Sequence, residues 1–369
     1  MYHVCHEHKM LDRTTTLTKK LYKLLLDADS AWMIRKRKIT TASIFSQLTY
    51  SCFERRGFKH TLHKSGCEFT AQAFSKARQK LPHHVFSEIN KSLQSTQTPR
   101  IFAVDGSKIH VHPSFLQQGV TTRTNNKVVS RPAKRPLMML SSMFDVNTRT
   151  CYDSQITSHF NERRSAPEHF KAAKPGDTCI FDRGYFSQQL FHQADKLGLF
   201  VLFRLKCDAI KSVKRFYYSS NTIQSIMILH AGEFTQAYLY KYFIDGIKYI
   251  CITNFESTPD RIKQMYSLRW RVETSFRRLK TDLNLEVAHS MTTNGFAQEI
   301  EARILFDTFS VLTSTERVCE VRQVTKRKLK SYFKALDEAL RIFHVIQIVR
   351  ERNMTYGSLI RILKFHSPP

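Results

Sequence analysis

The chain has 369 residues and a formal net charge of +27 at pH 7, because 58 Lys and Arg residues outnumber 31 Asp and Glu residues. This charge predicts a polyanionic partner, either nucleic acid or an anionic membrane. No apolar stretch is long enough to span a bilayer, and the N-terminus does not resemble a secretory signal. The eight cysteines include no Cys-x-x-Cys pair, which argues against a structural zinc site or a disulfide framework. Nucleic acid in a reducing cytoplasm is therefore favoured, and no membrane partner is expected.

Residues 1–99 are predicted to form a basic, mostly helical, DNA-binding region. Apolar residues recur at helical spacing in three places: 16–29, 39–53 and 70–81. The third helix carries Lys76, Arg78 and Lys80, which could contact DNA from a helix that enters the major groove. A small helical bundle with a solvated basic face fits the same pattern equally well. Both interpretations stay open.

From residue 100 onward the pattern predicts alternating strands and helices. The strands are expected at 101–104, 137–146, 151–157, 178–181 and 199–205, and the helices at 160–173 and 187–197. This order predicts an α/β architecture with a mixed sheet over residues 100–205. A β-rich, aromatic-rich insertion is predicted at 206–255, a further part of the core with a polar helix at 256–315, and a helical, basic C-terminal region at 316–369.

Three acids are candidates for metal-dependent phosphoryl transfer. Asp105 and Asp182 each follow a short apolar strand, and Glu273 lies on the predicted helix 266–280. At 100° per residue, Glu273 shares one face of that helix with a Tyr, an Arg and a Lys. Two-metal catalysis requires such carboxylates to hold a pair of divalent ions. Taken singly, each acid is equally compatible with a turn residue or a surface ion pair.

Taken together, these motifs resemble those of the DDE transposases of bacterial insertion sequences. The resemblance is carried by Asp-Gly at 105–106, Asp-Arg-Gly-Tyr at 182–185, and Tyr-x2-Arg-x3-Glu-x6-Lys at 266–280, the signature for which one family is named. It covers about residues 101–315. The resemblance implies an RNase H-like catalytic core that is interrupted by the β-rich insertion.

The resemblance also implies roles for individual residues. Asp105, Asp182 and Glu273 would be the catalytic triad and would bind two Mg²⁺ (or Mn²⁺) ions. The other motif residues would contact the DNA backbone or shape the loop beside the metals: Tyr266, Arg269, Lys280, Arg183 and Tyr185. Relatives often place a Trp in the insertion to stabilise an extruded base, but both Trp residues of this chain lie elsewhere. The aromatic clusters at 216–218 and 238–243 could stack on a base instead, or could simply pack within strands.

The function implied is cut-and-paste transposition, in which DNA is cleaved at terminal inverted repeats and the freed 3′-OH is joined to target DNA. The expected partners are double-stranded DNA and a second copy of the chain, with 318–362 as a candidate interface. The expected location is the bacterial cytoplasm, in association with the nucleoid. Two alternatives are an RNase H-like endonuclease or resolvase without strand transfer, and a non-catalytic, transposase-derived DNA-binding regulator.

Overall fold

The regular elements among the described residues before residue 101 are helices, and strands begin at Ile101. The computed structural model describes residues 2–33, 38–94, 97, 99–122, 135–314, 339, 341–343 and 345–346. The chain divides into a helical unit (Met1–Ser95, Val111–Gly119 and Arg278–Pro369) and a sheet unit (Thr96–His110 and Val120–Arg277). Within the described part of the chain, none of the helices combines the length and the hydropathy that a bilayer crossing requires.

The α-helices of the described residues are α1 Tyr2–Trp32, α2 Thr41–Glu54, α3 Phe58–Lys64, α4 Ala71–Arg78, α5 His84–Leu93, α6 Glu162–Ala172, α7 Gln188–Lys196, α8 Lys211–Tyr218, α9 Pro259–Ser267, α10 Trp270–Thr281 and α11 Thr293–Thr313. A 3-10 helix covers Pro113–Gln118. Thr40 caps α2 and forms a capping box with Ser43. Helices α3 and α5 are additions to the predicted pattern.

The strands of the described residues are β1 Ile101–His110, β2 Leu137–Asp145, β3 Thr150–Thr157, β4 Thr178–Phe181, β5 Phe200–Arg204, β6 Ile223–His230, β7 Glu233–Ile244 and β8 Ile247–Thr253. They form one sheet in the order β3-β2-β1-β4-β5-β8-β7-β6. Strands β1, β4 and β5 are parallel neighbours, and the remaining pairs are antiparallel. This confirms the predicted α/β architecture with a mixed sheet.

The residues of the β-rich insertion extend this same sheet. Strand β8 pairs with β5, so that Phe203 lies opposite Ile252, and β7 and β6 follow outward. The insertion begins with helix α8, which contains residues 216–218. The expectation that these aromatic residues belong to a strand is therefore wrong. Phe216 is buried, whereas the side chain of Tyr218 is 74% exposed.

Helices cover both faces of the sheet. One face packs against α6 and α7 through the aromatic and apolar side chains Val104, Phe170, Phe181, Phe191 and Phe203. The other face packs against α9 through Ile180, Leu202, Tyr240, Ile262 and Tyr266. Strands buried on both faces read as continuous apolar runs, which is the pattern seen at β4 and β5. The backbones of β1 and β4 are thus held between helices on both sides.

Helix α11 forms the core of the helical unit. Its residues are buried around almost the whole circumference, and it packs against α1, α2 and α5. Two of its acids are neutralised by buried arginines. Arg278 donates to Asp307 at 2.6 Å, and Arg78 donates to Glu299 at 3.2 Å. Such pairing is what makes burial of a charge tolerable.

The predicted helical C-terminal region, 316–369, lies outside the described residues except at 339, 341–343 and 345–346. The candidate dimer interface at 318–362 falls in this segment. Among its described residues, Phe343 packs against Phe45 and Phe309, with ring centroids 4.8 and 5.1 Å away. The few described residues of this region therefore contribute to the core of the helical unit.

Candidate active site

Two acids lie side by side near the middle of the sheet because β1 and β4 are parallel and in register. Val104 lies opposite Phe181, so the next residues, Asp105 and Asp182, are neighbours. Side chains alternate between the two faces of a strand. Since Val104 and Phe181 pack towards α6 and α7, the two aspartates project towards the face covered by α9.

Asp105 lies inside a strand, and the prediction of a strand end at this residue is wrong because β1 continues past it. The backbone N–H of Gly106 donates to Asp105 Oδ1 at 2.9 Å. Burial raises the pKa of Asp105 to about 6 against the lowering effect of Arg269, and the charges of Glu273 and Asp182 add to the rise. A positive charge beside Asp105 therefore stabilises the ionised form of its carboxyl group.

A tight turn between α9 and α10 delivers an arginine to these acids. Residues 266–280 do not form the single helix predicted, because α9 ends at Ser267 and α10 begins at Trp270. The N–H of Arg269 donates to the carbonyl of Tyr266 at 3.0 Å, three residues back rather than four. The single-helix prediction is wrong, and the segment contains neither Gly nor Pro that would have signalled the turn.

The Arg269 guanidinium bridges two of the three predicted acids. It donates to Asp105 Oδ2 at 3.3 Å and to Glu273 Oε1 at 2.6 Å. Its side chain is 8% exposed, whereas that of Glu273 is 36% exposed. The Tyr266 hydroxyl donates to Asp182 Oδ1 at 3.3 Å. Three separate stretches of sequence thus bring five of the predicted site residues together.

A fourth carboxylate, which no sequence motif indicates, lies at the same place. A Cβ atom on Gly106 would lie 3.0 Å from both Cγ and Oε1 of Glu162, and one on Gly184 would lie 4.0 Å from Oε2. Burial, together with the charges of Asp105 and Asp182, raises the pKa of Glu162 to about 7. The available signal was Gly106 itself, because a glycine inside a strand often marks a close approach.

Arg183 and Tyr185, which belong to the Asp-Arg-Gly-Tyr motif at 182–185, have opposite environments. Arg183 is exposed. Tyr185 is fully buried, with its ring centroid 5.3 Å from that of Phe181. Its hydroxyl has no hydrogen-bond partner among the described residues. Burial and the nearby charges of Glu162 and Asp105 raise the pKa of Tyr185 well above its ordinary value. The expectation that Tyr185 contacts DNA is therefore wrong for this structure.

The three cations predicted on the third helix divide into two groups. Lys76 and Lys80 are exposed. Arg78 is buried, and it donates to Glu299 at 3.2 Å and to the carbonyl of Gly295 at 2.6 Å. The expectation that Arg78 contacts DNA is wrong, because its donors stabilise the helical unit. That Lys76 and Lys80 contact DNA stays a prediction.

Lys280, the last residue of the third motif, belongs to the helical unit rather than the sheet unit. It lies in the last turn of α10, and its Nζ is 3.5 Å from Glu286 Oε1. Trp270 lies at the start of α10. Its side chain is 51% exposed, and its ring centroid lies 5.9 Å from the Arg269 guanidinium carbon.

The donor set of the sheet unit fits a divalent cation chemically. Carboxylate oxygens are the ligands that Mg²⁺ and Mn²⁺ prefer, and burial raises the pKa of Asp105 to about 6. Across the described residues, however, no three His, Cys, Asp or Glu side chains stand at the spacing that holds a metal ion. The Arg269 guanidinium supplies the positive charge between Asp105 and Glu273.

The chain is similar in sequence to known transposases. The family model of the transposase DDE domain matches residues 96–306, more than half of the chain. The transposase for insertion sequence element IS231F of Bacillus thuringiensis subsp. israelensis is 22% identical over 289 residues. That match covers 60% of this chain and spans 60% of the length of that relative. The cryo-EM structure of a piggyBac transposase synaptic complex with hairpin DNA has a TM-score of 0.49 at 10% identity, covering 98% of this chain and 85% of that one.

Proposed function

Because the chain belongs to the transposase DDE domain family, we propose that it catalyses cut-and-paste DNA transposition. It would cleave DNA at the terminal inverted repeats of an insertion sequence and join the freed ends to target DNA. The observation that carries this proposal is the convergence of Asp105, Asp182 and Glu273 with Tyr266 and Arg269. Phosphate-binding donors beside clustered carboxylates are the arrangement that phosphoryl transfer requires.

The strand order supports an RNase H-like core for this activity. Strands β3-β2-β1 form an antiparallel meander, and β4 and β5 follow parallel to β1. The insertion then occupies the chain between β5 and α9. Such a core presents Asp105 and Asp182 from neighbouring strands and Glu273 from a helix.

Asp105, Asp182 and Glu273 would hold the divalent ions, proposed to be two Mg²⁺ or Mn²⁺ ions. When bound, the ions would supply charge that polarises the scissile phosphate and lowers the pKa of the attacking water. The Tyr266 hydroxyl donates to Asp182 and fixes the orientation of that carboxylate. Arg269 holds Asp105 and Glu273 close together in the DNA-free chain.

The planar fork of an arginine suits phosphate as well as carboxylate. We therefore assign Arg269 a second role, in which its guanidinium contacts the DNA phosphate. Arg183, which is exposed next to Asp182, and Lys280 would contact the backbone further along. Each of these cations would add sequence-independent affinity.

The partner of the whole chain would be double-stranded DNA, in the form of transposon ends and target. The net charge of +27 supports this partner. Lys76 and Lys80 are exposed cations that would contribute to it. Two ends must be handled together, so a homodimer is proposed for the synaptic complex. The chain would act on nucleoid DNA in the bacterial cytoplasm.

A cleavage and joining assay tests this function. The substrate is a plasmid carrying the DNA that flanks this gene on both sides, incubated with the purified chain and Mg²⁺. We expect donor cleavage and insertion into a second plasmid, with both lost in Glu273→Gln. The matched control is Glu168→Gln, because Glu168 is an exposed acid on α6, paired with Lys171.

Each result of this assay has a distinct meaning. Cleavage that persists in Glu273→Gln contradicts the assignment of Glu273. Cleavage without joining favours an RNase H-like endonuclease or resolvase. DNA binding without either reaction favours a regulator derived from a transposase.

A further inference from the structure

Glu162 is a carboxylate that the proposed triad leaves without a role. It is the first residue of α6 and therefore approaches the site from the sheet face opposite α9. Its position is defined by two glycines. The Cβ distances of 3.0 Å at Gly106 and 4.0 Å at Gly184 mean that its side chain lies close to the backbone one residue after Asp105 and two residues after Asp182.

The absence of a side chain at Gly106 makes this approach possible. The backbone of Gly106 does not have a positive φ, so its dihedral angles do not require glycine. A methyl group there would meet both Cγ and Oε1 of Glu162 at 3.0 Å, closer than nearly all real Cβ contacts. The Asp-Gly pair of the first motif therefore creates space for a second acid beside Asp105.

A second observation points to a ligand beside Glu162. The Tyr185 hydroxyl is fully buried and has no hydrogen-bond partner among the described residues. The charge that acts most strongly on this hydroxyl is that of Glu162, followed by Asp105. Leaving a buried hydroxyl without a partner costs about 1–3 kcal/mol. Tyr185 thus offers a donor on the Glu162 side of the site.

The charges around Glu162 are unbalanced. Asp105, Asp182, Glu273 and Glu162 supply four negative charges when ionised, and the buried guanidinium of Arg269 supplies one positive charge. Lys108 also acts on Glu162, so two cations stand against these four acids. Carboxylates crowded in this way are stabilised by a bound cation.

We propose that Glu162 is a fourth acidic residue of the catalytic site and contributes to binding of the divalent cation. This inference rests on the proposed function, because the cation is the one that phosphoryl transfer would use. The role of Tyr185 is to orient Glu162 or a water bound to it. Gly106 provides the space for the Glu162 side chain.

The test measures metal binding directly and without DNA. Mn²⁺ is titrated at pH 8 into the full metal-free chain, and binding is followed by calorimetry and by the electron paramagnetic resonance signal of free Mn²⁺. We expect Glu162→Gln to weaken Mn²⁺ binding by about tenfold or more. Glu162→Asp keeps the charge and should weaken it less. The control Glu168→Gln should bind within about twofold of the unaltered chain, since residue 168 is exposed.

The outcomes separate this inference from the proposed function. Equal Mn²⁺ affinity in the unaltered chain, Glu162→Gln and Glu162→Asp overturns the role of Glu162, whatever the DNA assay shows. Weakened binding in Glu162→Gln supports it, even if no DNA is cleaved. Circular dichroism establishes that each variant is folded. If Glu162→Gln does not fold, Glu162→Asp decides: weakened binding supports the role, and unchanged binding overturns it.

Discussion

Replacing Glu162 with Gln should stabilise the metal-free protein at alkaline pH. The pKa of Glu162 is about 7 in the folded chain, compared with 4.5 ordinarily. A carboxyl group whose pKa is higher in the folded chain binds its proton more tightly when folded. Its contribution therefore favours folding at low pH and is lost as the pH rises from about 4.5 to about 7. Glutamine is neutral at every pH and avoids this loss.

The size of the effect follows from the two pKa values. Each pKa unit corresponds to about 1.4 kcal/mol, so ionising Glu162 at pH 8 costs folding at most about 3.5 kcal/mol. Because Glu162 is only partly buried, solvent screening reduces this to about 1–2 kcal/mol. We expect Glu162→Gln to be more stable than the unaltered chain by that amount at pH 8, and by less than about 0.5 kcal/mol at pH 5.

The assay is thermal and urea unfolding of EDTA-treated protein, followed by circular dichroism at pH 5 and pH 8. A gain of 1–2 kcal/mol corresponds to a rise in Tm of about 2–6 °C. Glu168→Gln, on the same helix, should change little at either pH. Destabilisation of Glu162→Gln at pH 8, or a gain of equal size at both pH values, would refute the reasoning.

Four further variants test other contacts. Arg269→Ala should lower the stability of the metal-free protein by about 2–4 kcal/mol, because it leaves two partly buried carboxylates unpaired. Mg²⁺ should restore part of this loss, as measured by urea unfolding. A variant as stable as the unaltered chain would contradict the bridging role. Gly106→Ala should lower the free energy of unfolding by about 1–3 kcal/mol, because the added methyl group contacts Glu162. In a double-mutant cycle, Glu162→Ala should restore most of this loss of stability. Additive effects of the two substitutions would argue against the contact. Arg78→Met should lower the free energy of unfolding by about 3–5 kcal/mol. Lys76→Ala should change stability by less than about 0.5 kcal/mol but should weaken DNA binding and reduce its salt dependence by about one ion. The reverse pattern would contradict the assignments of these two residues.

The order of strands and helices in the sheet unit could be predicted because it depends on local periodicity. The predicted strand 178–181 matches β4 residue for residue. Asp182 directly follows this strand, and it lies next to Asp105 because β1 and β4 are parallel neighbours. The acids were found because each follows an apolar strand pattern, a signal contained within a few residues.

What could not be predicted depends on contacts between distant parts of the chain. Arg78 looks like a surface cation until α11 places Glu299 beside it, 221 residues later. Glu162 has no motif of its own, and its role emerges when the fold places it against Gly106. The turn at Arg269 is stabilised by the carboxylates that this residue bridges, so no local pattern encodes it.

The pairing of β8 with β5 has a consequence for truncation and handling of the protein. If residues 206–255 were removed, the N–H and C=O groups of β5 would form an open sheet edge next to β4, and such edges promote aggregation. In the intact chain the outermost strand on this side is β6, where Ile223, Met227 and Leu229 are 45–56% exposed. We expect the exposed apolar side chains of β6 to limit the solubility of the protein. This strand is separated by several strands of the sheet from those that carry the acids.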